Sequence, residues 1–279
     1  MPRSALADQQ SSPAADAGVQ MPVLTRPGGN IRYHVSGSGR PAVLLSHGYG
    51  ATSAMFSKNL TAISAHNELI TWDLPGHGDS DYPADPDRYR AATVLADMAA
   101  LLDELAIDRA ILGGHSLGGY LSLDFALAHP DRVAGLILID TGPGFRNDAA
   151  RADWNRRASA TADRLESAGL QALGGSAELH AGQHRDASGL VLAARHTLTQ
   201  QDSHVLDGLP RIAVPALVIV GADDTPFLPA ADYLTAKILR ARKVVIPSAG
   251  HAPNVTAPDL VNAELRAFLD QVGAAEATS

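Results

Sequence analysis

Apolar runs of strand length alternate along the chain with stretches whose apolar residues recur at helical spacing. The runs Val43–Leu45, Leu69–Thr71, Ala110–Leu112, Leu136–Ile139, Leu217–Val220 and Val244–Ile246 are almost continuously apolar. That is the pattern of strands covered on both faces of a parallel sheet. Ahead of them, Pro22–Leu24 and Ile31–Ser36 flank the turn Pro27-Gly28-Gly29-Asn30 and predict an opening hairpin. Val94, Leu95, Met98, Leu101, Leu102 and Leu105 form one helical stripe. Leu117–Ala128 predicts another helix, stopped at His129-Pro130 because a residue before proline avoids the helical region. Leu260, Val261, Leu265, Phe268 and Leu269 mark a C-terminal helix ending near Gly273. Such alternation predicts the α/β class: a doubly wound, mostly parallel sheet.

The rhythm breaks between Thr141 and Arg211. No strand pattern occurs there, only helix-like pieces at Asp148–Leu173, near Ala177–His184 and at Leu190–Gln200. The interval far exceeds a βα loop of about two to six residues. Residues 141–211 are therefore expected to form a helical cap, with 21–140 and 212–273 forming the core. Its apolar side chains Phe145, Trp154, Leu170, Leu173, Leu190 and Val191 must either cover the contact with the core or face a ligand. Residues 1–20 and 274–279 lack periodicity and read as flexible tails.

A length of 279 residues suits one domain carrying such an insertion. The net charge of −8 and the lack of a basic cluster argue against nucleic acid or an anionic membrane as partner. No run approaches the ~18 apolar residues of a membrane span. The first residues lack the apolar core of a signal peptide, so a cytoplasmic protein is expected. A count of 0 cysteines excludes disulfides and thiolate catalysis. His180 and His184 are spaced to share a helix face, but Gly182 weakens that helix and no H-E-x-x-H occurs, so no metal is expected. "DLPGHGDS" (Asp73–Ser80) lacks the lysine of a phosphate loop and the G-x-G-x-x-G spacing. It reads as a tight loop beside the site, and no cofactor is expected.

Candidate chemistry centres on "GGHSLGGY". Gly114-His115-Ser116-Leu117-Gly118 matches G-x-S-x-G, and here it follows a strand and opens a helix, as a nucleophile elbow requires. A sharp turn crowds the positions two before and two after the serine, where Gly114 and Gly118 carry no Cβ. Ser116 is therefore the candidate nucleophile. A serine hydroxyl needs a base, and the base needs an orienting acid. His115 cannot serve, because neighbouring side chains diverge at a tight turn. His251, in "IPSAGHAPN", follows the last strand. Asp223 and Asp224 both lie in the loop after Leu217–Val220. Two N–H donors must converge on an oxyanion: the Leu117 N–H at the elbow and the Tyr49 N–H in "SHGYGATSAMF". His47 is expected to fasten that loop.

These segments, in this order, resemble the α/β-hydrolase-fold serine hydrolases from Met21 to the C-terminal helix. The resemblance rests on "SHGYG", "DLPGHGDS", "GHSLGG", "VPALVIVGADD" and "AGHAPN". It implies the chain order serine, acid, histidine, which selects His251, and it favours Asp224 with Asp223 as fallback. It also implies a cofactor-free esterase or lactonase acting on a small, largely uncharged molecule. Ser116 replaces the aspartate of the family's epoxide hydrolases and dehalogenases. His115 and "HGYGAT" replace the asparagine and "HGSGPG"-like loop typical of its C–C hydrolases, which weakens that alternative. A C–C or enol-lactone hydrolase, or a ligand sensor that keeps the triad, stays open at this point, as does the oligomeric state.

Overall fold

The computed structural model describes residues 21–276. The opening hairpin forms as expected: β1 (Val23–Leu24) pairs antiparallel with β2 (Ile31–Ser36). The six apolar runs become β3 (Ala42–Ser46), β4 (Leu69–Trp72), β5 (Ala110–His115), β6 (Val133–Ile139), β7 (Ala216–Gly221) and β8 (Ala241–Ile246). They join one eight-stranded sheet in the order β1-β2-β4-β3-β5-β6-β7-β8. The β2–β4 pair is antiparallel, and every pair from β4 through β8 is parallel.

Every residue of β3 to β7 is buried. Each strand alternates its side chains between two cores. Leu44 joins one core with Val94, Leu121 and Leu234, while Val43 and Leu45 join the other with Ile63, Val261 and Phe268. The helices Ala91–Glu104, Leu117–Ala128 and Leu228–Lys237 therefore cover one face, and Leu60–Ser64 and Pro258–Glu276 the other. Several strands outrun their apolar signal. β5 continues through Gly113 and Gly114 because its pairing with β6 extends to His115 opposite Ile139. β8 begins at Ala241 and includes Arg242 and Lys243, which an edge strand tolerates because one side meets solvent.

The C-terminal helix passes Gly273 and ends at Glu276, so residues 274–276 are helix and not tail. The tails expected over 1–20 and 277–279 lie outside the described residues. Among the described residues no helix is long and apolar enough to cross a membrane.

Between β6 and β7 the chain inserts helices Asp148–Ala168, Ser188–His196 and His204–Gly208. The Asn147 side chain starts the first by accepting from Ala149 N and Ala150 N. Residues 177–184 form turns where a helix was expected; Gly174 and Gly175 precede the stretch, Gly182 interrupts it, and Gly182 packs on Thr52. The insertion has a small core of its own, with Ala162, Leu165, Leu190, Val191 and Ala194 at its centre. It touches the sheet scaffold where Gly189 meets Gly76 backbone to backbone.

Candidate active site

Ser116 sits between β5 and the helix Leu117–Ala128 with φ 49° and ψ −111°. A non-glycine residue held there stores on the order of 1–3 kcal/mol of strain. The surrounding structure enforces it. Ser116 N–H donates to Ile139 O at 2.9 Å, and Thr141 Oγ1 donates to Ser116 O at 2.6 Å. A Cβ at Gly114 or Gly118 would collide with the carbonyl oxygen of Ser46. Glycine at both positions lets β3 approach the elbow this closely, which is the steric role expected from the sequence.

The loops after β7 and β8 bring Asp224 and His251 together. His251 Nδ1 donates to Asp224 Oδ2 at 2.7 Å, and Asp224 is buried. Asp223, the fallback, is exposed and points no side-chain bond at His251. His251 meets two further rings. His115 Nε2–H donates to the His251 carbonyl at 2.6 Å, with the two rings 4.7 Å apart, and the Phe227 ring also lies 4.7 Å from the His251 ring. His115 thus anchors the histidine loop to the elbow. Burial pulls its pKa down to about 3, so it stays neutral. Among the described residues Ser116 Oγ and His251 Nε2 both lack a hydrogen-bond partner.

The loop after β3 is fixed by histidines. His47 accepts from Leu74 N at 3.0 Å through Nε2 and donates to Gly48 O at 2.7 Å through Nδ1. Burial holds its pKa near 4. The expected fastening role is what the structure gives it. Gly50 N–H donates to His77 Nε2, and Gly50 O accepts from His184 Nε2 at 2.8 Å. His184 also accepts from Gly78 N, so the inserted segment is tied to the loops after β3 and β4. The Tyr49 hydroxyl donates to Leu190 O at 2.9 Å. Neither the Tyr49 N–H nor the Leu117 N–H has an acceptor among the described residues. His180 stays exposed and meets only Ser176 O.

Asp140 escaped the sequence reading. It is buried at the end of β6 with φ 42°, and its Oδ1 accepts from Gly221 N at 2.9 Å. Its Oδ2 is buried without a partner. Asp140, Asp224 and His251 each place one ligand-type atom within 4.8 Å of the others. Burial, above all, pushes the Asp140 carboxyl up to about 9, with Asp224 and Glu178 adding, against the pull of the Gly221 N–H. It is therefore a neutral acid beside the His251–Asp224 pair at pH 7. Its only sequence signal is a polar residue closing the apolar run "LILID".

A cavity of about 250 Å³ opens over Ser116 and Leu117. Phe145, Trp154 and Leu198 wall it from the insertion, and Phe227 from the β7 loop. Of the apolar insertion residues noted in the sequence, Phe145 and Trp154 line it. Leu170, Leu173, Leu190 and Val191 instead pack in or against the insertion's own core.

The sheet order and the strained elbow together define the α/β-hydrolase class of fold. The chain belongs to the alpha/beta hydrolase family, whose sequence profile matches residues 43–264. A pimeloyl-(acyl-carrier protein) methyl ester esterase from Aromatoleum aromaticum is 32% identical over 79% of this chain and 94% of its own. The 3-oxoadipate enol-lactonase 2 of Acinetobacter baylyi is 28% identical, over 82% of this chain and 89% of its own. Among solved structures, a thermophilic esterase from Thermogutta terrifontis superposes with a TM-score of 0.74 at 26% identity, covering 91% of this chain and 98% of that one. The protein is thus a hydrolase with esterases and lactonases among its relatives.

Proposed function

We propose that the protein cleaves a small carboxylic ester or lactone through an acyl-enzyme on Ser116. The observation that carries this reading is a strained serine with a free hydroxyl, open to the cavity, whose neighbour His115 holds the loop of a histidine already bonded through Nδ1 to a buried aspartate. Ser116 Oγ attacks the carbonyl carbon while His251 Nε2 takes its proton. Asp224 holds the Nδ1–H tautomer and stabilises the imidazolium. The N–H groups of Tyr49 and Leu117 receive the oxyanion. Collapse expels the alkoxide, which leaves with the proton from His251. Water then attacks the acyl group, giving its proton to His251, and Ser116 departs reprotonated with the acid released. The inserted segment 141–211 acts as a cap that shapes the cavity and excludes water.

The test is p-nitrophenyl acetate hydrolysis by the wild type, Ser116→Ala, His251→Ala and the double variant. Each single change should remove nearly all turnover, with losses that do not multiply, because triad members act as a unit. A serine-directed phosphonate should label Ser116. Turnover surviving Ser116→Ala would sink the assignment.

A further inference from the structure

We propose that the substrate carries a carboxylate remote from its scissile carbonyl, and that Arg157 binds it. This rests on the reading of Ser116 as nucleophile and replaces the uncharged molecule expected from the sequence. The chain carries a net charge of −8, yet no Asp or Glu lines the cavity. Its one charged wall residue is Arg157.

That placement is built. Arg157 lies three residues after Trp154 on the helix Asp148–Ala168, hence on the same face. The face is pinned to the cavity wall: Trp154 Nε1 donates to Leu198 O at 2.7 Å, and Asn155 exchanges bonds of 2.8 and 2.9 Å with the Gln200 backbone. Elsewhere in the insertion Arg146, Arg151, Arg156, Arg185 and Arg195 are each paired with an acid. Asp153, one turn before Arg157, is taken by Arg156. The Arg157 guanidinium has no hydrogen bond or ion pair among the described residues. Gln200, which lines the same cavity, spends Oε1 on Phe145 N–H at 3.2 Å, which leaves its amide N–H groups without an acceptor.

Asp124 and Asp202, whose charges act on the cavity residue Tyr120, are both bonded by His204, at 2.8 and 2.5 Å. The cavity therefore offers an oxyanion site at Ser116, an apolar middle and donors without acceptors on the cap side. A half-ester of a dicarboxylic acid, or a lactone bearing a carboxylate side chain, matches that order. A guanidinium engages a carboxylate through paired N–H donors.

The experiment measures kcat/KM for monomethyl succinate, glutarate and adipate against methyl butanoate, pentanoate and hexanoate. Wild type should prefer at least one anion over its neutral partner by about two- to fivefold, chiefly through KM, as a pair with the exposed Arg157 guanidinium allows. Arg157→Ala should bring that ratio near one, and Arg157→Glu below one. Arg156→Ala, paired and off the cavity wall, should leave it in place. Free glutarate should inhibit p-nitrophenyl acetate hydrolysis more weakly in Arg157→Ala than in wild type. Hydrolysis of p-nitrophenyl acetate with no anion preference, or a preference that survives Arg157→Ala, overturns this inference alone. No turnover of any ester together with an unlabelled Ser116 overturns both readings.

Discussion

Single side chains set the chemistry, and two aspartates divide it. Asp224 bonds His251 Nδ1 while Asp223 faces solvent. Asp224→Asn should therefore lower kcat by on the order of 10⁴-fold, as in the protease precedent, because an amide favours the wrong imidazole tautomer. Asp223→Asn should change kcat by less than about threefold, and circular dichroism should show both variants folded. The reverse ranking would transfer the acid's role. Asp140 makes a different prediction. Unfolded, its carboxyl titrates near the ordinary 3.8; folded, near 9. Between those values the unfolded chain has released a proton that the native chain keeps, so stability from this group falls as pH rises from about 4 to about 9 and is level beyond. Asparagine keeps the acceptor for Gly221 N–H and cannot ionise. Asp140→Asn should thus be more stable than wild type by at least about 1 kcal/mol at pH 8, with the gap closing towards pH 4. A thermal-melt difference constant across that range would show that ionisation is not its cause. Ser116 and His251 stood out as candidates because strand edge, glycines and the chain order implied by the resemblance all point to them. Asp140 was not, since neither its positive φ nor the convergence of three loops is written in any local window.

At the scale of elements, the insertion splits into side chains that face the cavity and side chains that hold the insertion together. Phe145 walls the cavity, whereas Leu190 is fully buried in the small core with Ala162 and Leu165. Phe145→Ala should shift the preferred acyl length across an ester series, each methylene being worth roughly 1–3 kcal/mol of discrimination. Leu190→Ala should instead destabilise the fold by about 2–5 kcal/mol and lower every ester's rate together, read by urea denaturation beside kcat/KM. Equal effects of the two would mean that the wall and the core are not separate. The sequence showed six apolar residues in this segment without sorting them, because the inserted helices are short and pack on each other. Periodicity also misread residues 177–184, where glycines and the His184 bonds to Gly50 and Gly78 overrule helical spacing. The strands were read correctly in place but short at their ends. Pairing with a neighbour extends β5 through glycines, and β8 through Arg242 and Lys243, that carry no apolar signal.

The whole molecule was the most legible level, because a doubly wound sheet repeats one simple alternation many times and each repeat corrects the others. The height of the insertion above the sheet was invisible, since it depends on a meeting of two residues far apart in sequence. Gly76 and Gly189 touch with no side chain between them, and a Cβ at Gly189 would collide with the Gly76 backbone. Gly189 keeps an ordinary φ, so alanine there fits its own backbone and strains only the gap. Gly189→Ala should raise the insertion by about the thickness of a methyl group, at about 1–3 kcal/mol in stability. Turnover should then move towards bulkier acyl groups in the graded ester series, with phosphonate labelling of Ser116 retained. An unchanged optimum would mean that the scaffold yields elsewhere. The missing methyl works as a shim, so the room above the serine can be altered by inheritance at a place no substrate touches.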